Sequence, residues 1–449
     1  MSAEGLAEAR RVMIEAGVHP LAIEVFAYYY GLLERGETGT LAETAIDPVE
    51  SMDVLANLRI REEESRSALD ETVVIKLNGG LGTSMGMDRA KSLVPVRGDK
   101  RFLDLIAEQT LAVRKRFGVR LPVMFMNSFR TRRDTLAALA GHQELPVNGL
   151  PLDFLQNQEP KLRRDDLTPV RWPPDPALAW CPPGHGDLYT ALQASGTLAT
   201  LTSAGYRYAF VSNADNLGAV PDPRVAGWFA SSGAPFAVEA CRRTASDRKG
   251  GHLAVRKSDG RLVLRESAQT RPEDEAAFGD IDRHRYFNTN SLWLDLQALS
   301  RALDACGGVL GLPLIRNIKN VDPSDASSPE VIQIETAMGA AVEVFDGAAA
   351  IEVDRSRFLP VKTTNDLLVL RSDVYRVNDQ GGLEIAPERG RPAPFVDLDP
   401  AYYKLLADFD ARFPAGPPSL VDADRFVVRG DVVFDAGYVA RGDVTVDRR

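Results

Sequence analysis

Several short stretches of this chain place groups suited to holding a phosphate ester. In Val73-Val-Ile-Lys-Leu-Asn-Gly-Gly-Leu-Gly-Thr-Ser-Met-Gly86, an apolar run leads into a loop bearing Gly79, Gly80, Gly82 and Gly86, and Lys91 follows. A strand end followed by glycines lets main-chain N–H groups point at phosphate oxygens. Lys91 adds a full positive charge. Two better-known glycine loops do not fit. The pattern G-x-G-x-x-G needs glycine at position 85, where Met85 stands. Only the looser spacing of Gly80, Gly82 and Gly86 is met, and the acidic residues near the required distance, Asp99 and Asp104, fall in a basic turn and a helix candidate. A P-loop would close on Gly-Lys-Ser/Thr, but Lys91-Ser92 comes late and behind Ala90. A tight turn chosen only for backbone shape remains the plain alternative.

Four further stretches carry usable groups. Trp180-Cys-Pro-Pro-Gly-His-Gly-Asp187 surrounds His185 with two prolines and two glycines, which fix a loop in an unusual backbone shape. Tyr208-Ala-Phe-Val-Ser-Asn-Ala-Asp-Asn-Leu-Gly218 is a strand with Asp215 beyond its end. A carboxylate there suits Mg²⁺, which takes one or two carboxylates and completes its octahedron with water and phosphate oxygens; an Asx turn would use the same residues. Phe287-Asn-Thr-Asn-Ser-Leu-Trp293 offers the amides of Asn288 and Asn290 on one face of an extended segment, able to donate to and accept from sugar hydroxyls. In Arg355-Ser-Arg-Phe-Leu-Pro-Val-Lys-Thr-Thr-Asn-Asp366, Lys362 follows a rigid proline. Lys91 and Lys362 converging on one triphosphate would neutralise charge developing on departing pyrophosphate.

These groups need a scaffold. Short apolar runs at 73–77, 121–126, 208–212, 236–240 and 291–294 alternate with amphipathic stretches such as Phe102–Phe117. The alternation predicts an α/β domain round a mainly parallel sheet, whose ligands sit at the carboxyl ends of the strands. Residues 1–70 read as a helical segment packed on that core, 71–375 as the catalytic domain, and 376–449 as a C-terminal helix plus a short β-helix. Arg429-Gly-Asp-Val432 recurs as Arg441-Gly-Asp-Val444, which suggests coils of a β-solenoid or a simple hairpin.

Composition narrows the function classes. The 449 residues carry 53 basic and 63 acidic side chains, a formal charge of −10. That excess argues against non-specific nucleic-acid or anionic-membrane binding, but not against an anionic small substrate. Cys181, Cys241 and Cys306 form no CxxC pair, so a reducing cytoplasm is the expected compartment. No apolar run is long enough for a membrane span.

Leu77-Asn-Gly-Gly-Leu-Gly-Thr-Ser-Met-Gly86 with Lys91-Ser-Leu93 resembles the signature of eukaryotic-type UTP–glucose-1-phosphate uridylyltransferases. The Pro-Pro-Gly-His-Gly-Asp, Ser-Asn-x-Asp-Asn-Leu, Asn-Thr-Asn and Arg-Phe-Leu-Pro-Val-Lys blocks follow in the family's order between about residues 75 and 370. Ser84 stands where the wider nucleotidyltransferase class often has arginine, Arg89-Ala90 where the family has Gly-Pro, and Ser291 where it has a further asparagine. The resemblance implies a Rossmann-like nucleotidyltransferase fold, glycosyltransferase A-like, with a mixed sheet flanked by helices and a short C-terminal β-solenoid. It implies an enzyme that makes UDP-glucose and pyrophosphate from UTP and glucose 1-phosphate with Mg²⁺. The nucleotide would lie against Leu77, Asn78, Gly79, Gly80, Lys91, Gln156, Gly184 and Asp215, with Gln156 on the uracil edge. The sugar phosphate would meet His185, Asn213, Asn288 and Asn290, with Glu335 shaping the pocket beside Lys249-Gly-Gly251. Lys362 and Lys91 would be catalytic, Asp215 would hold the metal, and self-association would run through the C-terminal segment. The rivals are a uridylyltransferase for galactose 1-phosphate or N-acetylglucosamine 1-phosphate, a dehydrogenase, and a non-catalytic nucleotide-sugar sensor.

Overall fold

The computed structural model describes residues 2–244, 247–378 and 381–448. The apolar runs pair into a sheet of eleven strands among the described residues. Thr72–Asn78 lies in its interior and is nearly all buried, which is why it reads as a continuous apolar run. Val74 faces one core, and Val73 and Ile75 face the other. This strand is parallel to Tyr208–Asn213 on one side and Val123–Asn127 on the other, and Asp153–Leu155 continues the parallel block. Phe236–Arg242, Ala349–Glu352 and Asp53–Val54 form a second parallel block. Between the two blocks runs Tyr286–Asp295, antiparallel to both neighbours. The sheet is therefore mixed.

Helices cover both faces. Phe102–Phe117, Pro223–Ser232 and Thr364–Arg371 pack on one side; Leu188–Ala194, Thr197–Ser203 and Leu296–Ala305 pack on the other. Phe102–Phe117 begins at a capping box, with Asp104 accepting the Arg101 N–H, and stops at Gly118 with φ of 62°. Both signals are local, so its bounds match the sequence expectation. No helix among the described residues is long and apolar enough to cross a membrane.

The N-terminal helices Ser2–Glu15 and Pro20–Glu34 bury Ala9, Met13, Phe26 and Tyr30 against Leu314, Ile332 and Ile334. Residues 1–70 are not all helical, however. Ile46–Pro48 pairs with His252–Arg256, and Asp53–Val54 joins the edge of the main sheet. These strands are two or three residues long, and their partners lie some two to three hundred residues away. No local periodicity announces such pairings.

The expected helix after residue 400 is split into Pro400–Tyr403 and Leu406–Arg412. Phe395–Leu398, Ser419–Arg429 and Val439–Asp447 form a three-stranded parallel sheet, which excludes the hairpin. The Arg-Gly-Asp-Val repeat does not set its register. Arg425 stands opposite Asp443, eighteen positions on, and Arg429 opposite Asp447. One copy of the repeat leaves a strand, while the other lies inside one. The two copies are thus not equivalent positions of successive coils. Phe426 packs against both Phe434 and Tyr438 in a core continuous with that of the main sheet. Truncating it leaves a void that the neighbouring rings cannot fill, so Phe426→Ala is expected to cost about 3–5 kcal/mol in urea unfolding.

Candidate active site

The strand register brings the predicted groups to one edge of the sheet. Asn213 is level with Leu77, Asn78 with Asn127, and Asn127 with Leu155, so four carboxyl ends finish side by side. A buried ladder holds them there. Asn78 Nδ2 donates to Asn127 Oδ1 and to Thr135 Oγ1, both at 2.8 Å, and Asn127 Nδ2 donates to Asp153 Oδ2 at 3.2 Å. The side chain of Asn78 is thereby occupied inside the protein.

Beyond Asn78 the glycine loop turns back on itself. Lys91 N–H donates to Gly80 O, Gly82 N–H to Arg89 O, and Leu81 bridges Ala90. Only short 3-10 turns follow, Thr83–Met85 and Lys91–Leu93, and the next α-helix starts at Phe102. A dinucleotide fold needs a helix N-terminus directly after the glycines, so the dehydrogenase reading fails on geometry. Gly79 lies close against Gln156: a Cβ there would stand 2.5 Å from Oε1, so the glutamine side chain would have to shift. Gln156 Nε2 in turn donates to Gly184 O at 2.7 Å. Gly79, Gln156 and Gly184 therefore meet at one point.

Gly184 has φ of +76°, and a Cβ on it would stand 2.6 Å from Thr336 O and 3.0 Å from the Cβ of Glu335. Only glycine fits such a position. Thr336 N–H donates to Pro183 O and Gly186 N–H to Thr336 O, which pins the loop on both sides of His185. Glu335 accepts from Asn317 Nδ2 at 2.7 Å. Asp187 accepts the main-chain and side-chain N–H groups of Asn157 at 2.7 and 2.8 Å. Burial nevertheless pushes its carboxyl up to about 7.

His185 is partly exposed, but its imidazole is desolvated enough to fall to about 4. Its Nδ1 accepts the Met338 N–H at 2.9 Å, so the ring is neutral and carries its proton on Nε2. Gly339, next in chain, lies against the Asn288 amide: a Cβ there would be 2.7 Å from Nδ2. Asn288 and Asn290 do not lie on a regular strand face as expected. The register shifts between Glu239 and Ala240, and Asn290 has φ of 57°. At this bulge the two asparagines bond each other: Asn288 Nδ2 donates to Asn290 Oδ1 at 2.9 Å, and Asn290 N–H donates to Asn288 Oδ1 at 3.0 Å. A bulge re-aims side chains next to binding sites. Asn288 N–H also donates to Gly251 O, which brings Lys249-Gly-Gly251 alongside.

The charged groups form the third side. Lys91 Nζ donates to Asp215 Oδ2 at 2.6 Å. Asp215 O accepts the Val361 N–H, and Asn216 bridges Pro360, so the segment bearing Lys362 is tied to the Asp215 turn. Lys362 is exposed, and Asp366 accepts its main-chain N–H while capping the next helix. Glu266 had no sequence signature. Its carboxylate lies against Gly251, where burial raises its pKa and the nearby Lys362 charge lowers it. The described residues hold no cluster of three metal-binding side chains. A lone partly exposed carboxylate fits an ion that arrives with phosphate oxygens rather than one caged by protein.

The fold and this edge define an α/β protein of the nucleotide-binding kind, with a glycine loop, a lysine–carboxylate pair and a second lysine segment gathered at the strand ends. The comparisons specify the family. The family model for UTP–glucose-1-phosphate uridylyltransferase matches residues 24–441. The enzyme of that name from Solanum tuberosum is 39% identical over 396 residues, 88% of this chain and 80% of the relative. The Saccharomyces cerevisiae enzyme is 38% identical over 388 residues, covering 86% and 76%. The Leishmania major UDP-glucose pyrophosphorylase, solved as a point mutant in complex with UDP-glucose, superimposes with a TM-score of 0.92 at 44% identity over 99% of this chain and 94% of that one. A Trypanosoma brucei structure gives 0.92 at 42% identity, covering 99% and 95%. The chain belongs to the UTP–glucose-1-phosphate uridylyltransferase family.

The His185 geometry has a pH consequence. Its folded value lies below the ordinary value of about 6.5, so the stability the neutral ring supplies is complete above that pH and is lost as pH falls through about 4. In an NMR titration the His185 ring should remain the Nε2–H tautomer across about pH 5–8. A ring that charges near its ordinary value would contradict the Met338 contact.

Proposed function

We propose that this protein forms UDP-glucose and pyrophosphate from UTP and glucose 1-phosphate. The observation that carries the reading is the convergence of the glycine loop, the Lys91–Asp215 pair and the Lys362 segment at the ends of Thr72–Asn78 and Tyr208–Asn213. Family membership supports the substrates. The relatives are named for glucose 1-phosphate, so a uridylyltransferase for another sugar 1-phosphate is not favoured.

The sugar phosphate is already an anion at neutral pH, so the reaction needs no general base. One of its phosphate oxygens attacks the α-phosphorus in line. The bond between the α-phosphorus and the bridging oxygen of the β-phosphate breaks, and pyrophosphate leaves with the electron pair. Positioning and electrostatics are then the whole of catalysis. Leu77, the Asn78 main chain, Gly79 and Gly80 would cradle the nucleotide, and Gln156, held between Gly79 and Gly184, would meet the uracil edge. Lys91 would hold the triphosphate, and Lys362 would stabilise charge between the two phosphates. Neutral His185 would donate from Nε2 to the sugar phosphate. Asn213, Asn288 and Asn290 would place the hexose, and Glu335, packed on Gly184, would shape the pocket. Asp215 would hold Mg²⁺, which when bound neutralises phosphate charge. Free Cys181, Cys241 and Cys306 fit a reducing cytoplasm.

Pyrophosphate release from UTP with a panel of sugar 1-phosphates tests the reaction, and glucose 1-phosphate should be the best acceptor. Lys362→Ala and Asp215→Ala should each lower kcat by about 10²–10³ while remaining folded. Near wild-type turnover in both would refute the assigned roles.

We read the C-terminal parallel sheet as a short solenoid stub, a reading supported by its parallel pairing. Its outer strand Val439–Asp447 pairs on one side only and leaves Val439 exposed, so it is the proposed surface for self-association. Sedimentation velocity of the full chain should show a larger species that is lost in Val439→Lys. A monomer at all concentrations would remove the proposal.

A further inference from the structure

A lysine interrupts a buried interior strand of the sheet. Lys76 stands between Ile75 and Leu77, only 2% exposed, and is paired in register with Ser212. Its Nζ donates to Ser212 Oγ at 2.8 Å and to Ala219 O at 2.7 Å. Ser212 lies three residues before Asp215, and Ala219 lies four after it. The loop that carries Asp215 is therefore tied at both ends to one atom. The next carbonyl, Val220 O, accepts Arg357 Nη1 at 2.9 Å, and Arg357 makes two 2.7 Å bonds to Glu239. Arg357 belongs to the segment that leads to Lys362.

We propose that Lys76 is a positioning residue for the transfer site, its ammonium clamping the Asp215 turn so that Asp215 and the Lys362 segment hold a fixed relation. The proposal rests on the reading of Asp215 and Lys362 given above. Burial of the ammonium is costly. It pushes Lys76 down to about 7, with Arg357 adding to the fall and Glu239 and Asp215 opposing it. A methionine would fill the same space without that desolvation. What the lysine adds is the pair of donated bonds, and both go to the ends of one functional loop. Lys76 also lies 5.9 Å from the Phe210 ring centre, a contact that holds it without directing it.

The test is Lys76→Met, assayed for UDP-glucose formation beside the wild-type chain. The expected result is a fall in kcat of about a hundredfold, the scale of an ångström misplacement, with the KM for UTP unchanged and no lower thermal midpoint. Ser212→Ala, which removes one of the two bonds, should fall between the variant and the wild type. Wild-type kcat in Lys76→Met overturns the proposal. So does a loss in which KM and midpoint worsen together with kcat, because that marks a structural role alone. If Lys76→Met does not fold, Ser212→Ala decides: a lower kcat at unchanged KM supports the clamp, and wild-type kcat rejects it. A wild-type chain that releases no pyrophosphate would instead overturn the functional reading, and the clamp with it.

Discussion

The pairing of Glu239 with Arg357 is the contact on which the site's charged side depends. Glu239 is fully buried on a sheet strand and accepts two bonds from Arg357 and one from Trp293 Nε1. A carboxylate so far from water is tolerable only when paired and hydrogen-bonded. The pair is not a device for stability as such, since an apolar replacement could do as well. Its effect is geometric. Arg357 reaches from the segment before Lys362 to Glu239 on the sheet, and also holds Val220 O beyond the Asp215 turn. Asn216 completes the attachment by accepting the Leu359 N–H and donating to Arg357 O. Removing either charged partner would strand the other at a cost of about 3–5 kcal/mol. The relation between Asp215 and Lys362 would loosen with it.

The segments that carry His185, Asn288 and Asn290 use a different method. There the main chain is bent out of regular form and held by neutral groups. Gly184 combines a positive φ with an approach of Thr336 that leaves no room for a side chain, and Asn290 has a positive φ in the bulge opposite Glu239 and Ala240, where Thr289 and Asn290 have no partner in the register. Neutral hydrogen bonds suit a ligand rich in hydroxyls, because each amide can both donate and accept. Charges suit the phosphates.

Much of this was legible in the residues. The run from Thr72 to Asn78 is apolar because both its faces are covered, and the glycines that follow are local in sequence and local in space. The helix Phe102–Phe117 has both its boundaries written in its own caps. The rest depends on partners far apart in the chain. Ile46–Pro48 becomes a strand only because His252–Arg256 is there to receive it. The Asn78–Asn127–Asp153 ladder needs three strand ends in register before any of its members can be seen as a group. Glu266 reaches the segment of Asn288 by way of Gly251, and no motif spacing encodes that approach. The Arg-Gly-Asp-Val repeat is the opposite case: a pattern visible in the sequence with no counterpart in the register. Lys76 was visible all along as a charge in a buried run. Its meaning required knowing which carbonyl closes the Asp215 turn.

A chain of net charge −10 that binds a polyanion has to concentrate its positive charge without letting it repel itself or draw in other anions. The Lys91–Asp215 pair meets that need. At 2.6 Å the two groups neutralise each other, and both retain some exposure, at 17% and 22% of the side-chain surface. Little is lost by parting them, because each stays in reach of solvent and of incoming ligand. When a nucleotide arrives with its cation, Lys91 would exchange Asp215 for phosphate oxygens, and Asp215 would exchange Lys91 for the cation. The number of favourable charge contacts rises while neither group is left bare at any stage. On the proposed reading, Lys362, exposed and held through its main chain by Asp366, would meet the charge that develops between the two phosphates. The site thus spends its rigidity on the backbone that carries the charges and leaves the charges themselves free to change partners.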